Sequence, residues 1–399
     1  MTKDKFDCVV VGAGLIGSAA AKYLARYLDN VALIGPTEPL DWQSHNGVFA
    51  SHYDSGRVTR ILDGDRSLFW ARVAKASIDR YREIEQESGI KFFSPAGCLK
   101  VAPADETGRD YIDAHIYSGQ SLAVDFEKFA STELKTRFPF LCFPADSLML
   151  QENHTAGWID PRKLLQAQLK LSDNAGATII DDTVVAISKP DNGTLKISLA
   201  SDREVIAQKA LVTAGAFSNF HNLLTRKLDI KIRAEAVVLG EISIETAEEL
   251  STMPSIVWAV ERGVCGGIYI VPPVQYPDGK FYIKIGSRSN QRRYFSSLEE
   301  TITWFRGDGQ TVTASENRRV LEEILPDTHF LSWQVKPCIL TDTPSLKPYI
   351  GQVSNNLFVA IGGNGYGAKS SDELGRMGAV TARGGELDSI YANYDLGPC

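Results

Sequence analysis

The hydrophobic pattern opens with a largely β-branched run, Phe6-Asp7-Cys8-Val9-Val10-Val11, which breaks at Gly12-Ala13-Gly14-Leu15-Ile16-Gly17. Ser18 to Leu28 then carries Ala and Leu at helical spacing, and Val31-Ala32-Leu33-Ile34 is a second short apolar run. Continuous apolar runs on either side of a helical period predict buried parallel strands joined by a crossover helix. Two further apolar runs end in glycine far downstream. They are Ala210-Leu211-Val212-Thr213-Ala214-Gly215 and Leu357-Phe358-Val359-Ala360-Ile361-Gly362, the second leading into a helix expected from about Ser370 to Ala382. Lys231 to Glu241 and Lys280 to Gly286 instead alternate with period two, which predicts antiparallel strands of a second domain.

The glycines of the first turn carry candidate chemistry, because a strand precedes them and a helix follows. Gly12 allows the tight turn, Gly14 lets backbone N–H groups approach a pyrophosphate at the helix N-terminus, and Gly17 lets helix and strand pack closely. A glycine-rich turn without a ligand is the plainer alternative. The acidic residue usual at the end of the second strand, where an adenosine ribose is held, is replaced by Gly35-Pro36-Thr37-Glu38. Glu38, Thr37 and backbone groups all remain open as its substitute.

Composition narrows the class. At 399 residues the chain has room for two or three folding units. With 44% hydrophobic and 23% charged residues, 33 Gly and 17 Pro, it is neither collagenous, disordered nor a small disulfide scaffold. Forty-two Lys and Arg against 49 Asp and Glu leave a net charge of −7, which gives no reason to expect nucleic acid or an anionic membrane as partner. Cys8, Cys98, Cys142, Cys265, Cys338 and Cys399 are too scattered for a C-x-x-C pair, the pattern of a reduced cytoplasmic protein. The amino terminus shows no signal peptide, and the terminal Gly397-Pro398-Cys399 no lipidation signal, so Cys399 reads as an exposed, dispensable thiol. The six histidines lack metal-ligand spacing, no metal site is expected, and no Ser/His/Asp nucleophile elbow is apparent.

Four places in order make the chain recognisable: Gly12 to Gly17; Ser51-His52-Tyr53-Asp54-Ser55-Gly56-Arg57-Val58-Thr59-Arg60; Lys284-Ile285-Gly286; and Lys336-Pro337-Cys338 followed by Gly363-Asn364-Gly365-Tyr366-Gly367-Ala368-Lys369. In these the chain resembles the D-amino-acid-oxidase superfamily of flavoproteins, most like the monomeric sarcosine oxidase and N-methyltryptophan oxidase group. The resemblance implies an α/β plus α+β fold. A discontinuous Rossmann-like FAD-binding domain (1–90, 151–218 and 326–399) would combine with a mostly antiparallel β-sheet substrate domain (91–150 and 219–325), the chain crossing near Gly89–Pro95 and Asn219–Asp229. It implies FAD as cofactor, held by Gly12, Ala13, Gly14, Leu15, Ile16, Gly17, Ser51, Arg57, Val185, Gly215, Cys338, Gly363, Asn364, Gly365, Tyr366, Gly367 and Lys369.

Particular roles follow from the same resemblance. Cys338 matches the cysteine that attaches FAD covalently, with Cys265 the weaker competitor, although a bare cysteine is ordinarily a small buried hydrophobe. Lys284 matches a lysine over the flavin that speeds reaction with oxygen, whereas on pattern alone a lysine in such a strand faces solvent. Arg57 matches an arginine near the flavin ring, and Arg60 with Lys369 the pair that holds a substrate carboxylate. The Gly363 to Lys369 loop would present backbone N–H groups to the flavin N1 side.

The chain also departs from the group. His52-Tyr53-Asp54-Ser55-Gly56-Arg57 alters the residues before the arginine. Around the substrate site Tyr269 is kept, Ile270 stands for a tyrosine and Arg288 for a histidine, so a substrate other than sarcosine is expected. Arg288 either pairs with a second acidic group on the substrate or points to solvent. The leading expectation is a monomeric FAD-dependent oxidase of an amino acid or an N-alkyl or cyclic imino acid, producing an imine and H2O2 from O2. The alternatives are a flavin dehydrogenase that passes electrons elsewhere and, from another class, an NAD-type dehydrogenase.

Overall fold

The computed structural model describes residues 5–63, 67–190, 193–309 and 312–398. The expectation for Cys399 lies outside these residues, as do the first four positions of the chain. The first apolar run forms β1 (Lys5–Val11), the helical period forms α1 (Leu15–Leu24), and the second run forms β2 (Val31–Ile34). β1 pairs in parallel with β2 on one side and with Glu204–Val212 on the other, and that strand pairs in parallel with Leu357–Ile361. Among the described residues this sheet has eight strands. Its central strands do not alternate in polarity because both faces are covered, by the helices Leu15–Leu24 and Ser371–Ala382 on one side and by residues such as Leu195, Leu223 and Leu228 on the other. The parallel register brings the carboxyl ends at Val11, Ile34, Val212 and Ile361 to one edge, where open α/β sheets bind ligands.

A second sheet of nine described strands is built around Lys231–Ile242, Cys265–Gln275 and Phe281–Ser289, paired antiparallel as their alternation predicts. Both faces of it are buried as well. Ile283 and Ile285 pack under the Ala314–Ile324 helix, while Tyr282 and Leu239 face Val271, Val274 and Tyr276. Two strands pair across the expected divisions. Ser332–Asp342, placed at the sequence level with the nucleotide-binding domain from 326 onward, pairs along the whole of Lys231–Ile242 and so belongs to the second sheet. Leu148–Glu152 pairs with Cys98–Ala102 and carries that sheet past the expected division at 150. Among the described residues no helix is long and apolar enough to cross a membrane.

Candidate active site

A cavity of about 950 Å³ opens at the carboxyl edge of the parallel sheet and continues under the second sheet. Its first wall is the glycine-rich turn. Gly12 has φ +110°, and an added Cβ would lie 3.0 Å from the backbone of Ala214, so a side chain there is excluded. A Cβ on Gly14 meets nothing within 4 Å, because that side opens onto the cavity. α1 begins at the next residue with no side-chain cap and no acid in its first turn, leaving its N–H groups and positive end for an anion. Gly17 plays the expected packing role: a Cβ would stand 1.9 Å from the Gly12 carbonyl oxygen, and Gly17 itself is not part of the cavity wall. These features fit the pyrophosphate of a dinucleotide, and the volume suits a cofactor of FAD size together with a small substrate.

Gly35 lines the cavity, and an added Cβ would collide with the Ala13 backbone nitrogen at 2.3 Å, which explains why no acidic residue stands there. Glu38 is held by Arg162 through both carboxylate oxygens at 2.6 and 2.7 Å. Thr37 is bonded to Asp181 through its N–H (2.9 Å) and its hydroxyl (3.2 Å). Of the three candidates for the ribose, the backbone at Gly35 and Pro36 lines the cavity, whereas Thr37 and Glu38 do not.

At the other end the second sheet supplies the ionisable groups. Cys338, midway along Ser332–Asp342, lines the cavity opposite Glu235 in register, and Trp304 Nε1 donates to its carbonyl at 2.9 Å. Burial pushes the Cys338 thiol up, and the nearby Arg57 guanidinium pulls it back only in part. The electropositive neighbour expected for a reactive thiol is present, but desolvation outweighs it. Arg57 also lines the cavity, donating to Asp54 and, at 3.0 Å, to the Ser51 carbonyl.

Lys284 is 1% exposed, which overturns the solvent-facing reading. Its ammonium donates to Asp54 Oδ2 at 2.7 Å and to the Gly56 carbonyl, behind Arg57 and outside the cavity wall itself. Tyr276 donates to the other Asp54 oxygen at 2.8 Å. Burial disfavours the Asp54 carboxylate, but Arg57 and Lys284 together more than offset it and hold the group well below the usual carboxylate range. Lys284 is lowered to about 8, by burial first and by the like charge of Arg57, against the attraction of Asp54. Asp54 is therefore the hub of a buried cluster in which two cations share one anion. In the sequence Asp54 is legible only as part of an altered motif. Gly286, two residues on, is bare because Tyr269 lies over it, its hydroxyl 2.5 Å from where a Cβ would stand, and Tyr269 lines the cavity as expected.

Arg60 and Lys369 come together on the cavity wall beside Tyr366, the Lys369 ammonium 4.5 Å from that ring's centre. Both are also paired with a carboxylate of the protein itself. Asp63, fully buried, lies between them at 2.8 Å from Arg60 Nη2 and 2.5 Å from Lys369 Nζ. Burial lowers Lys369 to about 8 despite Asp63. The glycine-rich loop from Gly363 to Gly367 lines the same wall, with Asn364 at φ +48° donating to the Gly362 carbonyl and accepting from the Thr343 N–H at 2.8 Å.

Other expected residues divide. Ala13, Leu15, Ile16, Ser51 and Gly215 line the cavity. Val185 does not. Its carbonyl accepts from the Asn222 N–H at 3.1 Å, and the neighbouring Thr183 and Val184 form the wall instead. Arg288 is at once on the wall and exposed, lying across Gly267. Cys265 is outside the wall, its thiol donating toward the Thr313 carbonyl, so it does not compete with Cys338. Glu235 was not singled out from the sequence. It lines the cavity, accepts from Arg233, and burial raises it to about 7 against that arginine. A glutamate inside an apolar alternation was the available signal, but not which way it points. Among the described residues no cluster of metal-ligating side chains occurs.

Comparison with known proteins agrees with this geometry. Residues 7–380 match the family described as FAD dependent oxidoreductase. The monomeric sarcosine oxidase of Bacillus sp. (strain NS-129) is 25% identical over 400 residues, covering 98% of this chain and 96% of that one. The human peroxisomal sarcosine oxidase is 23% identical, covering 99% of this chain and 95% of its own. Among solved structures, the iminodiacetate oxidase of Chelativorans sp. BNC1 superposes with a TM-score of 0.74 at 19% identity, over 98% of both chains, a likeness of fold. A match over nearly the whole chain, with the glycine cradle and the carboxyl-edge cavity in place, shows that the chain belongs to the FAD dependent oxidoreductase family.

Proposed function

We propose that this chain oxidises the C–N bond of an amine or amino acid to an imine, with O2 as the electron acceptor. The overall change removes two electrons and two protons from the CH–NH unit and delivers them to O2 as H2O2; water then hydrolyses the imine. FAD, when bound, would supply the two-electron acceptor for this step. The pyrophosphate would rest on the α1 N-terminus and Gly14, and the loop from Gly363 to Gly367 would line the reactive ring.

The observation that carries the reading is the convergence of Arg57, Cys338 and Tyr269 on one stretch of cavity wall, with the Asp54–Lys284 pair behind Arg57. Two cations around one anion leave a net charge of +1, a fixed positive field where charge develops as oxygen is reduced. Arg57 orients the reacting centre, and Asp54 holds Arg57 and Lys284 in register. The domain division follows the two sheets, with 332–342 assigned to the substrate side. Cys338 would hold the cofactor through a thioether. Joining S–H to a methyl C–H releases two electrons and two protons, which O2 accepts.

The testing experiment is oxygen-electrode turnover against a panel of N-methyl, cyclic and primary amines and amino acids, with H2O2 measured in parallel. Turnover with stoichiometric H2O2 is the expected result, and a colourless protein without turnover would overturn it. One observation favours a second reading. Lys284 is bound to Asp54 and stands back from the cavity, an arrangement also suited to a flavin dehydrogenase that uses another acceptor. Rapid reduction of an artificial dye with negligible oxygen uptake would select that reading.

A further inference from the structure

The pair Arg60 and Lys369 is where a carboxylate on the substrate would be expected to bind, yet the protein already supplies one there. Asp63 is fully buried and spans both cations, at 2.8 Å from Arg60 and 2.5 Å from Lys369, while only the two cations reach the cavity wall. Its place is built in. The two preceding N–H groups, of Ile61 and Leu62, donate to the buried Glu152 carboxylate at 2.9 Å each, and the Ile61 and Leu62 side chains are themselves in the core. Thr155 donates to the same Glu152 at 3.0 Å. A backbone pinned on both its polar and its apolar groups positions Asp63 against the cations.

This has a direct consequence for selectivity. Arg60 and Lys369 with Asp63 carry a net charge of +1 where the pair alone would carry +2, and each cation already has Asp63 as its ion-pair partner. A second carboxylate against the same pair would sit on the order of 5 Å from Asp63, and like charges at that separation, in a partly buried site, weaken binding by roughly 100-fold. A neutral group does not meet this repulsion. The remaining wall carries both signs, Asp105, Glu235 and Glu261 against Arg57, Arg233 and Arg288, so the charge preference at this end of the cavity rests on Asp63.

We infer that Asp63 is a resident carboxylate that fills the anion clamp of Arg60 and Lys369, so that this chain acts on amines whose α-carbon bears no carboxylate in preference to the corresponding amino acids. The inference rests on the amine-oxidation reading above and narrows its substrate class. Asp63 is a specificity-determining residue in this account, acting through the two cations that face the cavity.

The test is built on binding, so that it is separable from turnover. Flavin-loaded protein is titrated with pyrrole-2-carboxylate and with its neutral isostere pyrrole-2-carboxamide, read by the visible flavin spectrum and by calorimetry. In the wild type the acid is expected to bind no more than about 3-fold more tightly than the amide, and in Asp63→Asn the acid should gain roughly 100-fold relative to the amide. Acid binding 10-fold or more tighter than amide in the wild type, or an unchanged ratio in a folded Asp63→Asn protein, would overturn the inference. If Asp63→Asn does not fold, the wild-type ratio decides alone. Turnover then adds a matched pair, pyrrolidine against proline: a higher kcat/KM for pyrrolidine supports the inference and a higher value for proline counts against it. The predicted binding ratio without turnover of any compound in the panel above would refute the amine-oxidase reading while leaving the role of Asp63 standing.

Discussion

Replacing Lys284 by Met removes one positive charge and little volume from the Asp54 cluster. The ammonium lost is the one 2.7 Å from Asp54 Oδ2, and the cluster of Arg57, Lys284 and Asp54 falls from a net +1 to neutral. For a unit charge developing on the cavity side of Arg57, on the order of 7 Å from the former ammonium, the lost attraction is about 2 kcal/mol at an effective dielectric constant near 20. That corresponds to a rate of oxygen reduction slower by roughly 30-fold. Asp54 keeps Arg57, Tyr276 and the Ser55 N–H (2.8 Å) as partners, so the carboxylate is not orphaned. The destabilisation should then fall at or below the low end of the roughly 3–5 kcal/mol typical of a broken buried pair. The assay is stopped-flow, with reduction by substrate measured anaerobically and reoxidation measured by mixing reduced enzyme with oxygenated buffer. Reoxidation should slow far more than reduction, in a protein whose melting temperature shows it folded. Equal slowing of both half-reactions would refute the argument, because a merely structural lysine would disturb Arg57 and the cavity in both.

The same lysine sets a pH dependence. Lys284 lies at about 8, so it is charged below that pH and neutral above it, and reoxidation should fall as pH rises through about 8 in the wild type but not in Lys284→Met. A parallel pH profile in the two proteins would remove Lys284 from the account. Cys338→Ala should release the flavin on acid precipitation, whereas wild-type protein should stay yellow in the pellet; flavin that is equally extractable from both would show that no thioether forms. Gly14→Val should fill the open side of the turn and abolish flavin retention with little change in the melting temperature of the apoprotein, since its added atoms point into the cavity; full retention would mean that the cradle does not hold the pyrophosphate. Lys22→Met breaks a fully buried ion pair with Asp372 at 2.6 Å that ties α1 to the Ser371–Ala382 helix. A loss of about 3 kcal/mol in chemical denaturation is expected, softened because Arg80 and Tyr23 also bind Asp372, and no loss would show the pair to be dispensable.

The amino-acid sequence by itself determined the local elements and their order. A β-branched run, three spaced glycines and an Ala-rich helical period leave few conformations other than strand, turn and helix, because the constraint is steric and acts within a few residues. The same holds for the downstream strand-to-glycine junctions and for the alternating strands around Lys231 and Lys284. Motif order was also enough to point to the family. Sequence did not reveal which strand joins which sheet: Ser332–Asp342 lies near the last nucleotide-binding elements in the chain but finds its hydrogen bonds along Lys231–Ile242. Nor did it reveal the partners of the charged residues. Lys284, Arg60 and Lys369 were legible as candidates. Whether each faces solvent, substrate or another side chain depends on Asp54 and Asp63, which for the two lysines lie in a distant part of the chain. Electrostatic pairing acts through space over a few ångströms, so only the tertiary structure, by burying Asp54 and Asp63 among those cations, decided that one pair became a positive hub behind the cavity and the other an anion clamp already filled.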